Sequence, residues 1–538
     1  MRLLLAAALP LLISVAAAGS SPAAPGPPRL LYVAVSNGGQ PFAGDTTRLT
    51  TISPNGDGLR DRAVIRFSLD RPAVVDLQVV ATGAVSQPVR MVWRVSRALG
   101  RGPSSVTWRP RPATAARTYL VRFVLHGRDG TRRVYGFEAP RPGRRTSGAV
   151  VRVQGVDVGF FQRSYPSGGQ AAAVIATDAR SVRLQLFSLA NDPNPTIRDL
   201  RTGGVAVAPA VTLDWRPYRN APHLVRIGRV GGFPSGLYFL RVTANDGRVG
   251  YAPLILSPRR LGEHRVAVVL STNTWQAYNF FDADGDGWGD SWNVSGSIRT
   301  LGLRRPYLDF GLSSRYKDWD LRFLSWLRRT GKQVDYLSDD DLLAAGSGEA
   351  LRRAYTLLVF PGHEEYVGAK TYDIVQRYRD RGGRLMFLAA NNFLWKVRRE
   401  GPALRRFQLW RRLRRPEAAL VGAQRVQTTR AVGRGRLIVQ GATAAPWAFA
   451  GTGLGNGSAI GRYGLGIDAR ADSSPPQTRV LARIPRLSGG RDAEMTYYET
   501  AAGAKVFDAG ALDFAASIGN PAVSRLVDNL WARLTAPG

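Results

Sequence analysis

The apolar pattern changes period near residue 260, and that switch constrains the fold more than any other feature of the chain. Before it, short runs such as AVIRFSLDRPAVVDLQVV (63–80), TYLVRFVLHG (118–127), SVRLQLFSL (181–189), APHLVRIG (221–228) and SGLYFLRVTA (235–244) alternate apolar with polar residues or run apolar between Gly, Pro and Asn turns. Such alternation predicts half-buried strands of β-sandwiches. After it, HRVAVVLST (264–272) is continuously apolar, as a strand covered on both faces must be. DWDLRFLSWLRR (318–329) has helical spacing and a Gly331 stop. QVDYL, YTLLVFPG (355–362) and GRLMFLAA (383–390) then alternate with helical stretches such as 369–381, which predicts a parallel sheet. EMTYYET and AKVFDAG read as further strands, with Tyr497, Tyr498 and Glu499 structural. A Val523/Leu526/Val527/Leu530 stripe marks a closing helix over 521–534.

The expected organisation is therefore multidomain: two β-sandwich domains followed by an α/β domain. Residues 1–18 read as a signal peptide of the bacterial Sec type, with Arg2, an apolar run and Ala16–Ala18 before the cut. Linkers are expected at 19–43 and 139–149, sandwiches at 44–138 and 150–258, and the α/β domain at 259–538. The chain is thus expected to be exported, secreted or held at the cell surface, with no transmembrane segment in its mature form. It has no cysteine, which excludes disulfides, thiolate metal sites and a cysteine nucleophile. The net charge of +34 comes almost wholly from arginine, since only five basic residues are lysine (Lys317, Lys332, Lys370, Lys396 and Lys505). The arginines are spread along the chain, and the densest patch, 396–416, reads first as a solvated face and second as a polyanion surface. No specific nucleic-acid partner is expected. Sequence pattern assigns no oligomeric state.

In open α/β sheets, ligands bind beyond the carboxyl ends of the strands. STNTWQAYN (271–279), PGHEEYVG (361–368) and NNFLW (391–395) follow three such ends and should converge. They carry Tyr278, Asn279, His363, Glu364, Glu365, Tyr366, Asn391, Asn392 and Trp395. Glu364 and Glu365 also precede a helix, where acidic residues favour the dipole without any function. Asp339–Asp341 are expected to cap a helix. With four histidines in the chain, no histidine cluster exists for zinc.

FFDADGDGWGD (280–290) places Asp282, Asp284, Asp286 and Asp290 at positions one, three, five and nine, with Gly287 at six. This matches the first nine positions of a calcium loop, but Asn293 stands where an EF-hand needs its bidentate glutamate. The expectation is a calcium-ordered loop over the edge of the site. The alternative is an Asp/Gly-rich turn.

Two resemblances add to this reading. SPNGDGLRD (53–61) with TYLVRFVL resembles the Ig-like domain of the flagellar-hook capping protein, so both sandwiches are expected to be Ig-like. VVLSTNTWQAYN, DYLSDDDL, LLVFPGHEEY, GGRLMFLAANNFLW and AEMTYYETAAGAKVFDAG resemble the C-terminal region of the N,N-dimethylformamidase beta (large) subunit, over about 155–535 and including the PSGLY turn. The resemblance implies a class I glutamine amidotransferase-like α/β fold without the cysteine nucleophile. It also implies an iron held by two tyrosinates and a glutamate, and hydrolysis of an amide C–N bond. Carried over, Glu365 is the metal-binding glutamate and Tyr278 a second ligand, while His363 and Asn391 orient water or substrate. Trp275 stands where the family has tyrosine, and a long family segment is replaced by the short Asp-rich loop, with Tyr307 or Tyr316 as substitutes. The implied ligand is a small amide. The rival expectation is a non-catalytic secreted protein that binds a carbohydrate or cell-surface ligand in a degenerate site.

Overall fold

The computed structural model describes residues 26–136, 148–188, 205–229, 232–308, 311–426, 433–464, 466–488 and 490–537. The expected signal peptide and most of the 139–149 linker lie outside them. The chain is mostly β-sheet, with several sandwich-like sheets and few helices. Among the described residues, no helix is long and apolar enough to cross a membrane.

The N-terminal unit packs a three-stranded sheet (Leu30–Ser36, Ala63–Leu69, Gly102–Trp108) on a six-stranded one built around Ala73–Ala81 and Arg117–His126. Ile65, Phe67, Leu77, Val79, Val121 and Phe123 fill the space between them. Two edges differ from expectation. Leu30–Ser36 lies inside the expected 19–43 linker, yet it is a strand paired antiparallel with Ala63–Leu69. Ala149–Val153 pairs with both Arg117–His126 and Leu49–Ile52, so it completes this sheet rather than opening the next unit. Both strands are short and follow Pro/Gly-rich runs, so only their pairing defines them.

The next unit packs Asp157–Phe160, Gln170–Ala176 and His223–Arg229 on a six-stranded sheet centred on Ser181–Ser188, Gly236–Ala244 and Val249–Ser257. The fully buried Trp215 lies in its core.

A nine-stranded sheet follows. Five strands are parallel neighbours, in the order Asp335–Ser338, Val266–Leu270, Leu357–Phe360, Arg384–Phe387 and Lys505–Asp508. Four antiparallel strands continue it, from Arg491–Glu499 to Ala459–Tyr463. The continuous apolar runs have a direct cause. Val266, Val268 and Leu270 enter one core, and Ala267 and Val269 enter another on the opposite face. Leu357 and Val359 divide from Leu358 and Phe360 in the same way. The helix Ala369–Asp380 lies on one face through Tyr372, Val375 and Tyr378. Arg322–Arg329 and Pro521–Thr535 lie on the other. The closing helix buries the expected stripe, and Asn520 caps it. The helix after Asp335–Ser338 is capped by Ser338, with Asp341 completing the capping box. A separate sheet joins Tyr366–Gly368 to the hairpin Trp395–Glu400 and Ala403–Leu409.

Candidate functional site

The strand Leu357–Phe360 delivers PGHEEY to the carboxyl edge of the parallel strands, and Val266–Leu270 delivers the short helix Thr272–Ala277, which ends on Tyr278. The two segments are tied directly, since the Glu365 backbone N–H donates to the Thr274 side-chain Oγ1 at 3.1 Å. The Tyr278 hydroxyl donates to Glu365 Oε2 at 2.7 Å, and His363 Nε2 lies 3.3 Å from the same oxygen. Glu365 and His363 are buried. The Trp319 ring meets His363 edge-on at 4.2 Å and Tyr278 at 5.7 Å, which fixes the imidazole among aromatic faces.

Burial alone would raise the Glu365 pKa. His363 by hydrogen bond and charge, the Tyr278 hydroxyl and the Arg425 charge outweigh it, so the carboxyl sits below its usual range. Burial, and then the Glu365 charge, push Tyr278 well above the ordinary phenol range. Tyr366 is shifted upward by the same two causes, and its phenol faces both Glu365 and Arg406. One ionised carboxylate therefore stands between two protonated phenols. A carboxylate and two phenols are hard oxygen donors, the kind that a hard cation takes once the phenol protons leave.

Of the expected site residues, Tyr278, His363 and Glu365 are brought together. Asn391 lies at the neighbouring strand end, with φ +64° and Oδ1 buried without a partner. It is linked to the Glu365 segment through Asn392, whose Oδ1 accepts the Glu364 N–H. Tyr307 and Tyr316 pack on Trp275, and Tyr316 also packs on Phe239, so their partners are not Glu365. Trp275 donates its indole N–H to Asp320 Oδ2 at 3.3 Å. Tyr366, Trp319 and Asp320 carry more of the site than the sequence reading gave them. Trp319 and Asp320 sit on a five-residue π-turn, Lys317–Leu321, at the start of the helix read from 318.

The Asp-rich loop is placed differently from expectation. Its base frames the site, with Tyr278 at one end and Trp292 against Tyr366 at 4.6 Å at the other. Its tip docks into the N-terminal unit, where Trp288 and Val294 share a core with Leu49, Val80, Leu120 and Val150. Thr82 Oγ1 donates to the Gly287 carbonyl at 2.7 Å. Gly287 has φ +88°, and a Cβ there would run into Leu120. Asp282, Asp284 and Asp290 bring ligand atoms within 4.8 Å of one another, and Asp286 is not of that group. Asp282 accepts N–H groups from Gly285, Asp286 and Gly287, and Asp290 accepts that of Ala283. The carboxylates thus build the turn itself.

The sequence profile of the N,N-dimethylformamidase beta subunit-like C-terminal family matches residues 225–407 and 400–525. The chain belongs to this family. A curated member, the N,N-dimethylformamidase beta subunit of an Alcaligenes species, is 37% identical over 78 residues. That match covers 14% of this chain and 10% of the relative. Similar solved structures include trypsin-activated alpha-2-macroglobulin from Escherichia coli, at TM-score 0.23 and 12% identity over 42% of this chain and 16% of that one. Another is the dimeric latent PorU from Porphyromonas gingivalis, at TM-score 0.16 and 10% identity over 43% and 20%. At such scores these likenesses carry no argument. The family match covers the Glu365 site and every strand of the nine-stranded sheet, and it starts at residue 225, well after the N-terminal unit.

Proposed function

We propose that this family member is an exported, metal-dependent hydrolase of amide C–N bonds, acting on a small amide. The observation that carries the reading is the convergence of the Tyr278 and Tyr366 phenols on the ionised, buried Glu365 carboxylate, with His363 at its edge. Glu365, Tyr278 and Tyr366 would hold the iron. Bound there, iron would supply a Lewis acid that polarises an amide carbonyl and acidifies water. His363, seated against Trp319 and Tyr278, is placed to take or return a proton at the edge of Glu365. The surrounding aromatic rings exclude bulk water and strengthen each charge interaction. The reading of residues 259–538 as a class I glutamine amidotransferase-like domain is supported by its five parallel strands with helices on both faces. The Ig-like reading of the two preceding units is supported by their paired, mostly antiparallel sheets.

The test is elemental analysis of the purified protein beside Glu365→Ala, followed by a screen on small amides, N,N-dimethylformamide among them. Iron near one per chain in the parent and none in the variant supports the reading. No transition metal in either overturns it.

A second reading, ligand binding without turnover, is favoured by Trp275, whose indole is committed to Asp320 where the family resemblance places a tyrosine. Calcium at Asp282, Asp284 and Asp290 is a separate proposal. It concerns how firmly the loop docks, not the chemistry.

A further inference from the structure

Asn392 joins three strand ends. Its Oδ1 accepts the Glu364 N–H at 3.1 Å, and its Nδ2 donates to the Ala389 carbonyl at 2.8 Å and to Asp508 Oδ1 at 3.3 Å. Asp508 ends the parallel strand Lys505–Asp508, is fully buried, and has an unpartnered Oδ2. Asp468 lies beside it, with its own N–H on the Gly510 carbonyl. Both Asp468 carboxylate oxygens accept the Asn391 N–H, each at 3.0 Å. That bond holds a turn in which Asn391 and Phe393 have φ of +64° and +55°, a backbone form that non-glycine residues keep only under constraint.

We propose that Asp508 and Asp468 are a positioning pair for the Glu365 site: Asp508 sets the His363–Tyr366 turn through Asn392, and Asp468 sets the Asn391 turn directly. The functional value of those turns rests on the amidase reading, but the pair's hold on them does not. A buried carboxyl pair is a costly way to satisfy one backbone amide and one side-chain amide, and asparagine or serine would do so without charge. What the pair adds is a response to pH, because each member is a buried group that can lose a proton. Burial and their neighbouring charges raise both groups, Asp468 to about 7 and Asp508 well above the carboxylate range. The other charged groups that face Asp468 are Glu417, Arg411 and Arg425. Losing their protons would put neighbouring negative charges in the interior and loosen both turns. The sign follows from the raised values: the hold is complete at low pH and is lost as pH rises through about 7 and beyond.

The test is hydrogen exchange by mass spectrometry on the full chain, over peptides spanning 361–368 and 387–395. Rates are corrected for intrinsic pH dependence, from about pH 5.5 to 9. In the parent, both peptides should open together as pH rises. Asp508→Ala should speed exchange in 361–368 by at least about tenfold at pH 5.5, with the difference from the parent narrowing as pH rises. Asp508→Asn keeps the acceptor for Asn392 and should restore protection in 361–368 while removing the pH step from that peptide. A purely structural role would not give that rescue with loss of the step. Unchanged exchange at 361–368 in Asp508→Ala overturns the proposal, and so does a pH step retained at 361–368 in Asp508→Asn. Where Asp508→Ala does not fold, Asp508→Asn and Asp468→Asn decide by the step alone. Iron content is measured separately, so a metal-free chain that still shows the step would sink the amidase reading and leave this one standing.

Discussion

Glu364 and Glu365 are consecutive carboxyls in one extended segment, and the fold shifts their pKa values in opposite directions. Glu365 meets Tyr278 and His363 and stays ionised. Glu364 is buried on the other side, where burial, and then the Asp339 carboxylate, push its pKa far above the usual range. Extended chain sends successive side chains to opposite faces, so one residue serves the site and the other the interior.

Exchange of each for glutamine should therefore separate them. Glu364→Gln replaces an already neutral group and should change stability by less than about 1 kcal/mol, with metal content intact. Glu365→Gln should fold normally, lose its metal and lose at least about a hundredfold in amide hydrolysis. Equal effects of the two changes on metal content would contradict the assignment.

Tyr366 is the second phenol at Glu365, and removing only its hydroxyl tests that role. Tyr366→Phe and Tyr278→Phe should each weaken metal binding by about ten- to a hundredfold while the melting temperature barely moves. Metal titration of the apoprotein, followed by absorbance or calorimetry, reads this directly. Parent-like affinity in Tyr366→Phe would remove it from the ligand set.

Much of this was legible in the sequence where a local rule was sufficient. Val266–Leu270 had to be covered on both faces because no residue in it could meet water, and the three loops at the sheet edge followed from strand direction. Tyr366 was harder to read, because strand alternation places neighbours apart and only the turn into Tyr366–Gly368 brings its ring back to Glu365. The Asp-rich loop carried a cation pattern, yet its tip is fixed by Trp288 meeting Leu120 and Val150, residues far away in sequence. Asp508 and Asp468 looked like ordinary strand and loop residues, since nothing local shows that two carboxyls will share a buried space.

Arg163 projects from the second unit into the edge of the nine-stranded sheet, where it pairs with Asp340 and bonds Asn273, with Asp339 at 3.9 Å. Only 11% of its side chain is exposed. Arg163→Ala would take the facing charge from the buried Asp339, while the partly exposed Asp340 keeps Arg399, and should cost about 1.5–3 kcal/mol in chemical denaturation. A loss below about 1 kcal/mol would mean that the pair is solvated in solution.

The docked Asp-rich loop predicts an inverse dependence of stability on pH. Burial, and then the neighbouring aspartates, raise Asp282 to about 8 and Asp286 to about 7. An unfolded carboxyl titrates near about 4. Below that, folded and unfolded chains both hold the protons and the contribution is complete. As pH rises towards 8 the unfolded chain releases them first, so folding is progressively disfavoured. With chelator present, the melting temperature should fall between about pH 5 and 8.5. Asp282→Asn should flatten that fall, which separates the loop from Glu364, Asp468 and Asp508, whose raised values act in the same direction. Millimolar calcium should raise the melting temperature at pH 8 more than at pH 5, because a cation compensates only ionised carboxylates. An equal response at both pH values, or none, would leave the aspartates as turn-builders and end the calcium proposal.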